Sequence, residues 1–193
     1  MMTRQSTRLI QQPKRSSHLH NSHLINCNSR AKVIHHAIDP ILLPWLLASG
    51  SLTQQLTQLA QGQFRVQAVS QHFAKPSRLD SQWLHVPAHE LVWLRRSLLF
   101  GCDVQPWVKA HSFFPLRSLS GQGQRFRHLG NRPVGHLLFE RTRPSCERRV
   151  IKLPEGWTRQ SCYTWHGKRL IVQETFLPAF IDYLKQHPQQ SPL

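Results

Sequence analysis

The chain has 193 residues, with 25 Lys+Arg against 9 Asp+Glu and a formal net charge of +16. Hydrophobic residues make up 39%, including six Trp and nine Phe, which is enough for one domain with a real core, and no apolar run approaches the ~20 residues of a membrane helix. The N-terminus carries charges but no apolar stretch of the kind a secretory signal needs, so the expectation is a cytoplasmic protein without stable membrane insertion.

Residues 1–33 are rich in Ser, Asn, Gln, Arg, Lys and His and read as a flexible basic extension. His18, His20 and His23 fall in it as polar tail residues, because no acidic or cysteine cluster completes a metal site nearby. Asp39 can cap a helix whose first turn suits Pro40, and the apolar residues 41–47 follow around Trp45. Ser51 caps a second helix bearing Leu52, Leu56 and Leu59, stopped by Gly62. Residues 64–69 read as a strand and 74–81 as a loop. A strand over 91–100, a turn over 101–106 and a return strand over 107–114 form a hairpin ended by Pro115.

Residues 118–123 read as a Gly/Ser-rich loop. Short helices are expected over 125–129 and from Pro133 through Leu138. Residues 148–153 are a strand candidate. Residues 157–165 and 169–176 form the last hairpin across His166-Gly167-Lys168. An amphipathic helix over 179–186 closes the domain, and residues 188–193 form a frayed tail. Hairpins outnumber helical crossovers, so residues 34–187 should form a single α+β domain, an antiparallel sheet with helices on one side.

Two residues stand out chemically. On the strand 169–176, Leu170, Val172, Glu174 and Phe176 share one face, and Ile171, Gln173 and Thr175 share the other. Glu174 therefore sits on an apolar face, which costs several kcal/mol unless something pairs with it. In Leu91-Val92-Trp93-Leu94-Arg95-Arg96, Arg95 shares a face with Trp93, Ser97 and Leu99, and Arg96 lies on the other. Either way a guanidinium is planted in an apolar strand. It is a rim Arg whose head reaches water, or a buried fork that grips a carboxylate. Arg95 and Glu174, on two strands of one sheet, could line one cavity, with Arg95 as an anchor and Glu174 as acid or base for a small anionic substrate.

Other signals are weaker. Cys27, Cys102, Cys146 and Cys162 form no C-x-x-C pair and read as reduced thiols. Gly121-Gln122-Gly123 lacks the strand–turn–helix context of a dinucleotide loop. The high positive charge favours anionic partners in general, but it is spread along the chain rather than concentrated in one block, which speaks against a nucleic-acid partner.

Several segments together resemble the chorismate pyruvate-lyase family of the ubiquinone pathway. They are Asp39-Pro40 with Trp45-Leu46-Leu47, Trp93-Leu94-Arg95, Pro106-Trp107, Leu119-Ser120-Gly121, Leu129-Gly130 with Pro133-Val134-Gly135 and Leu138-Phe139, Gly167-Lys168, and Glu174-Thr175-Phe176-Leu177-Pro178. The resemblance implies a six-stranded antiparallel sheet whose flanking helices cover a buried ligand cavity. The implied activity converts chorismate to 4-hydroxybenzoate and pyruvate without metal or organic cofactor; the alternative is a non-enzymatic ligand-binding domain of the same fold, like the sensor domains of bacterial regulators, and a monomer without a nucleic-acid partner is the expectation beside either. Arg95 matches the arginine that holds the ring carboxylate. Glu174 matches the glutamate near the oxygen-bearing end of the ring, and the expectation is that it is protonated and donates to the departing ether oxygen, with proton acceptance as the alternative. Leu52 and Val134 match apolar positions that contact the ligand, through backbone N–H groups and pocket shape. One position departs: His111 stands where the family often has Arg before Ser-x-x-Pro, and a neutral His binds an anion less well.

Overall fold

The computed structural model describes residues 38–141 and 143–188, together with the backbone of Ile25–Asn26. The rest of the expected basic extension, and tail residues 189–193, lie outside the described residues. The sheet has six long strands: β2 (Arg65–Ala74), β3 (Val92–Phe100), β4 (Val108–Pro115), β5 (Ser145–Leu153), β6 (Gly156–Trp165) and β7 (Lys168–Phe176). A two-residue strand, β1 (Ile25–Asn26), adds to the β5 edge. The order is β1-β5-β6-β7-β4-β3-β2, antiparallel throughout. Two antiparallel runs, β2-β3-β4 and β5-β6-β7, are thus joined side by side through β4 and β7, and that non-local junction holds the centre of the sheet.

Among the described residues five α-helices accompany it: α1 (Leu43–Leu47), α2 (Leu52–Leu59), α3 (Arg78–Leu84), α4 (Val134–Leu138) and α5 (Pro178–Gln186). Ser51 caps α2 as its sequence suggests, its hydroxyl accepting from the Gln54 amide at 3.4 Å. Leu52, Leu56 and Leu59 form the buried stripe of α2. Helices α1, α2 and α5 pack with Trp107, Val108 and Phe176 in one apolar cluster, where Phe180 meets Trp45 edge-on at 5.0 Å. A second cluster on the same face, at the other end of the strands, joins Phe114, Phe126, Leu137, Tyr163 and Leu170.

Three local expectations change. Strand β2 runs to Ala74 rather than stopping at Val69, paired with β3 across a bulge at Ala68/Ser70. Residues 78–81 are not loop but the start of α3, capped by Ser77, whose Oγ accepts from the Asp80 amide at 3.1 Å and donates to the Asp80 carboxylate at 2.7 Å. The Gly/Ser-rich stretch and the short helix after it are two 3₁₀ segments, Leu116–Leu119 and Gly121–His128. Helix α3 also corrects the expectation of helices on one side. It lies against the opposite face of the sheet, where Leu84 joins Val92, Cys162 and Ile171.

Candidate functional site

Strand register builds a polar band on the face covered by α1 and by the turn before α4. Directly opposed residues share a face of an antiparallel sheet, as do residues two apart along a strand. One row runs Arg95–Ser112–Val172–Ser161–Arg148 across β3, β4, β7, β6 and β5. The adjacent row runs Ser97–Ala110–Glu174–Arg159 across β3, β4, β7 and β6. The two apolar clusters flank this band, so its charged groups are withdrawn from water. Arg95 is 1% exposed, Arg159 0% and Glu174 8%.

Arg95 is thus the buried fork and not a rim residue, while Arg96 faces the other side and is exposed. The Arg95 Nη2 donates to the carbonyls of Gly130 and Arg132, both at 2.9 Å, and Nη1 donates to Ser97 Oγ at 3.3 Å. Its Nε has no hydrogen-bond partner among the described residues. Asn131, inside the same turn, accepts from the Ala68 amide at 2.9 Å. The turn that leads into α4 is therefore tied to both β2 and β3. Burial lowers the Arg95 pKa from its ordinary value.

The direct partner of Glu174 is Arg159, which sequence reasoning passed over. Arg159 Nε donates to Glu174 Oε2 at 2.5 Å. Arg159 Nη1 points to the carbonyls of Trp45 at 3.2 Å and Ala48 at 3.4 Å, at the end of α1. Its Nη2 has no partner among the described residues. The expected pairing with Arg95 gives way to this one for a geometric reason. Strand β4 lies between β3 and β7, so Arg95 and Glu174 start two strand spacings apart, roughly 10 Å. Arg159 is directly opposite Glu174 on the neighbouring strand. In this ion pair Glu174 Oε2 is the hydrogen-bond acceptor.

Arg148 extends the band. Its Nε donates to Ser161 Oγ at 2.9 Å and its Nη1 to the Ala48 carbonyl. Burial pulls its pKa down, but Tyr163, Glu174 and Cys146 outweigh this and the net direction is up. The neighbouring Tyr163 hydroxyl is pushed up to about 12, by burial first and then by the Glu174 charge. Of the acidic residues, only Asp80 and Glu174 are buried, and Asp80 belongs to the other face. Three arginines (Arg95, Arg148, Arg159) against one glutamate leave the band an excess of two positive charges.

Leu52 and Val134 are the first residues of α2 and α4, and both are buried. First-turn N–H groups have no acceptor within their own helix, so both backbones can donate outward. Gly135 lets the two helix starts meet: a Cβ there would lie 2.9 Å from Ser51 Oγ and 3.1 Å from Thr53 Oγ1. A groove of about 480 Å³ runs along the outer side of this pair, past Thr53, Thr57, His136 and Phe139. Arg95, Glu174 and Arg159 do not line it.

His111 pairs in register with Arg96 and Gln173, on the face opposite Glu174. Its pKa is lowered to about 4 by burial, with Lys109 and Arg96 adding to the shift. Among the described residues no group of three His, Cys, Asp or Glu could hold a metal ion, and Cys102, Cys146 and Cys162 are free thiols. Cys27 lies outside the described residues. No helix among the described residues is long and apolar enough to cross a membrane.

A family model described as chorismate lyase matches residues 30–185. The chain is 55% identical over 150 residues to a protein of Acinetobacter baylyi named "Probable chorismate pyruvate-lyase", a match covering 78% of this chain and 90% of that one. It is 33% identical over 145 residues to a Pectobacterium atrosepticum protein named "Chorismate pyruvate-lyase", covering 72% of this chain and 81% of that one. Among solved structures, a GntR-family transcriptional regulator from Bacillus cereus aligns over 61% of this chain and 93% of its own, at 8% identity and a TM-score of 0.43.

Proposed function

The chain belongs to the chorismate lyase family, and from that premise we propose that it is a lyase that converts chorismate to 4-hydroxybenzoate and pyruvate. The observation that carries this reading is the buried band itself. It holds a buried carboxylate among guanidinium groups between two apolar clusters, with a net positive excess that suits a dianion.

The roles follow from position. Arg95 grips the ring carboxylate; support comes from its burial, from its fixed orientation on the Gly130 and Arg132 carbonyls, and from an Nε that still has a proton to give. The backbone N–H groups of Leu52 and Val134 close on the substrate from the helix side, and their buried side chains shape the pocket. Glu174 lies at the oxygen-bearing end of the ring. In the reaction the C3–O bond to the enolpyruvyl group breaks, C4 gives up its hydrogen as a proton, and the ring becomes aromatic. The enolate of pyruvate then takes a proton. Arg159 holds Glu174 through Oε2; on this reading the carboxylate receives the C4 proton and returns it to the leaving enolate. Aromatisation makes the overall step strongly downhill, so holding the substrate in one orientation supplies much of what the protein must do.

The same reading makes the protein a cytoplasmic monomer without a nucleic-acid partner and without metal or organic cofactor. The dispersed charge supports the part of this reading that concerns nucleic acid. Incubating purified protein with chorismate tests the activity: 4-hydroxybenzoate and pyruvate should appear in equal amounts. Formation of 3-hydroxybenzoate, or no product, would contradict it.

A further inference from the structure

The Arg159 guanidinium has no access to solvent, yet its Nη2 is without a hydrogen-bond partner among the described residues. A buried, charged donor left unmade is costly, and such a group marks a place where an acceptor belongs. Trp45, Ala48 and Glu174 hold the other two nitrogens, so the free one is fixed in direction rather than able to turn away.

Chorismate has a polar group at three successive places: a ring carboxylate, an oxygen-bearing ring edge, and a second carboxylate beyond the ether oxygen at C3. The band has the same order. Arg95 is on β3, Glu174 two strands on at β7, and Arg159 one strand further at β6, with Arg148 on β5 behind it. At about 4.8 Å per strand, the first step is roughly 10 Å of backbone separation and the second about 5 Å. The ring spans the first step, and the enolpyruvyl arm spans the second. Arg95 serves the ring carboxylate, and the remaining excess charge lies where the second carboxylate would fall.

We infer that Arg159, flanked by Arg148, is the binding site for the enolpyruvyl carboxylate of the substrate. This rests on the chorismate reading and adds to it a site specific for the substrate and not for its aromatic product, which has lost that carboxylate. Arg159 then has two duties: it touches the leaving group and orients Glu174 beside it.

The test uses three stable aromatic probes with the intact protein: 4-hydroxybenzoate, 3-(1-carboxyethoxy)-4-hydroxybenzoate, and the neutral isostere in which the added carboxylate is a primary amide. Affinities are measured by calorimetry. The wild type should bind the dicarboxylate at least tenfold more tightly than the amide. Arg159→Gln should reduce that preference to threefold or less. Arg148→Gln, at a less buried position, should reduce it too while changing 4-hydroxybenzoate affinity by less than threefold, so the result stands even where Arg159→Gln does not fold. Equal affinity of the wild type for dicarboxylate and amide, or a preference unchanged in Arg148→Gln and Arg159→Lys alike, would overturn the assignment of this subsite. Failure of 4-hydroxybenzoate itself to bind the wild type would overturn the chorismate reading and the subsite with it.

Discussion

Both faces of the sheet bury polar groups, and they do it in opposite ways. Under α3, Asp80 accepts from Arg149 and from Gln160 Nε2, both at 2.9 Å, and Gln160 Oε1 accepts from Arg149 Nε at 2.6 Å. Gln160 also reaches Gln173 at 3.2 Å, and Ser77 holds the other Asp80 oxygen. This network closes on itself. Under α1 and the turn before α4, the Arg95 Nε and the Arg159 Nη2 have no partner among the described residues, and cationic groups outnumber carboxylates. A closed buried network is built for holding elements together. An open one carries a standing cost that a ligand can relieve. The difference separates the Asp80 network from the arginine band by which buried charged donors are satisfied; on the α3 face the atoms unpartnered among the described residues, His111 Nε2 and Ser70 Oγ, lie outside that network.

Substitutions should separate the two faces. The largest effect is expected from Glu174→Gln, which removes the proton acceptor while keeping size and hydrogen bonding. Turnover should fall by roughly 10²–10⁴-fold, with the far-UV circular dichroism of the wild type; near-normal kcat would break the assignment. Asp80→Ala should do the converse. Breaking the closed network should lower unfolding free energy by about 3–4 kcal/mol, read by urea titration, while kcat of the folded enzyme stays within a factor of two. A comparable loss of kcat would erase the distinction between the faces. Arg95→Ala should weaken 4-hydroxybenzoate and chorismate together by about 2–5 kcal/mol, the range seen when one partner of a buried charged contact is truncated. Isothermal titration would show this, and unchanged product affinity would remove Arg95 from the site.

The smallest effect concerns His111 on the closed side. Its folded pKa lies below its unfolded value, so the folded state resists protonation. That stability is present above pH 6.5 and is lost as pH falls towards about 4. Solvent screening of this partly exposed ring limits the loss to about 1–2 kcal/mol. His111→Gln should flatten the pH dependence of unfolding between those values without changing KM. A raised KM would instead tie this position to the substrate.

The sequence made Glu174 legible because a single acid broke an apolar alternation, and the strand around it survives intact. Arg159 escaped because it sits in Trp157-Thr158-Arg159-Gln160-Ser161, where no apolar period makes an arginine stand out. The signal that could have found it is the hairpin turn. Read as a three-residue loop, His166-Gly167-Lys168 would pair Glu174 with Gln160. The turn has two residues, His166 (φ 47°) and Gly167 (φ 71°), both in the left-handed region that a type I′ turn requires. Trp165 then faces Lys168, and counting back six residues places Arg159 opposite Glu174. A one-residue slip moves every side chain to the other face, so turn length decides the site. Helix α3 was legible too, in the N-cap Ser77 with Asp80 in the first turn, a start signal hidden by a short and mostly polar helix. What no pattern of residues could supply is the β4–β7 junction, because it joins hairpins far apart in the chain. That junction puts two strand spacings between Arg95 and Glu174.

The claim that the open face is the substrate site is tested most directly by a crystal structure with 4-hydroxybenzoate bound. The product should lie under α2 and α4, its carboxylate on Arg95 and its hydroxyl beside Glu174. A ligand in the outer groove beside Thr57 and His136, or one lying with its carboxylate towards Arg159, would contradict it.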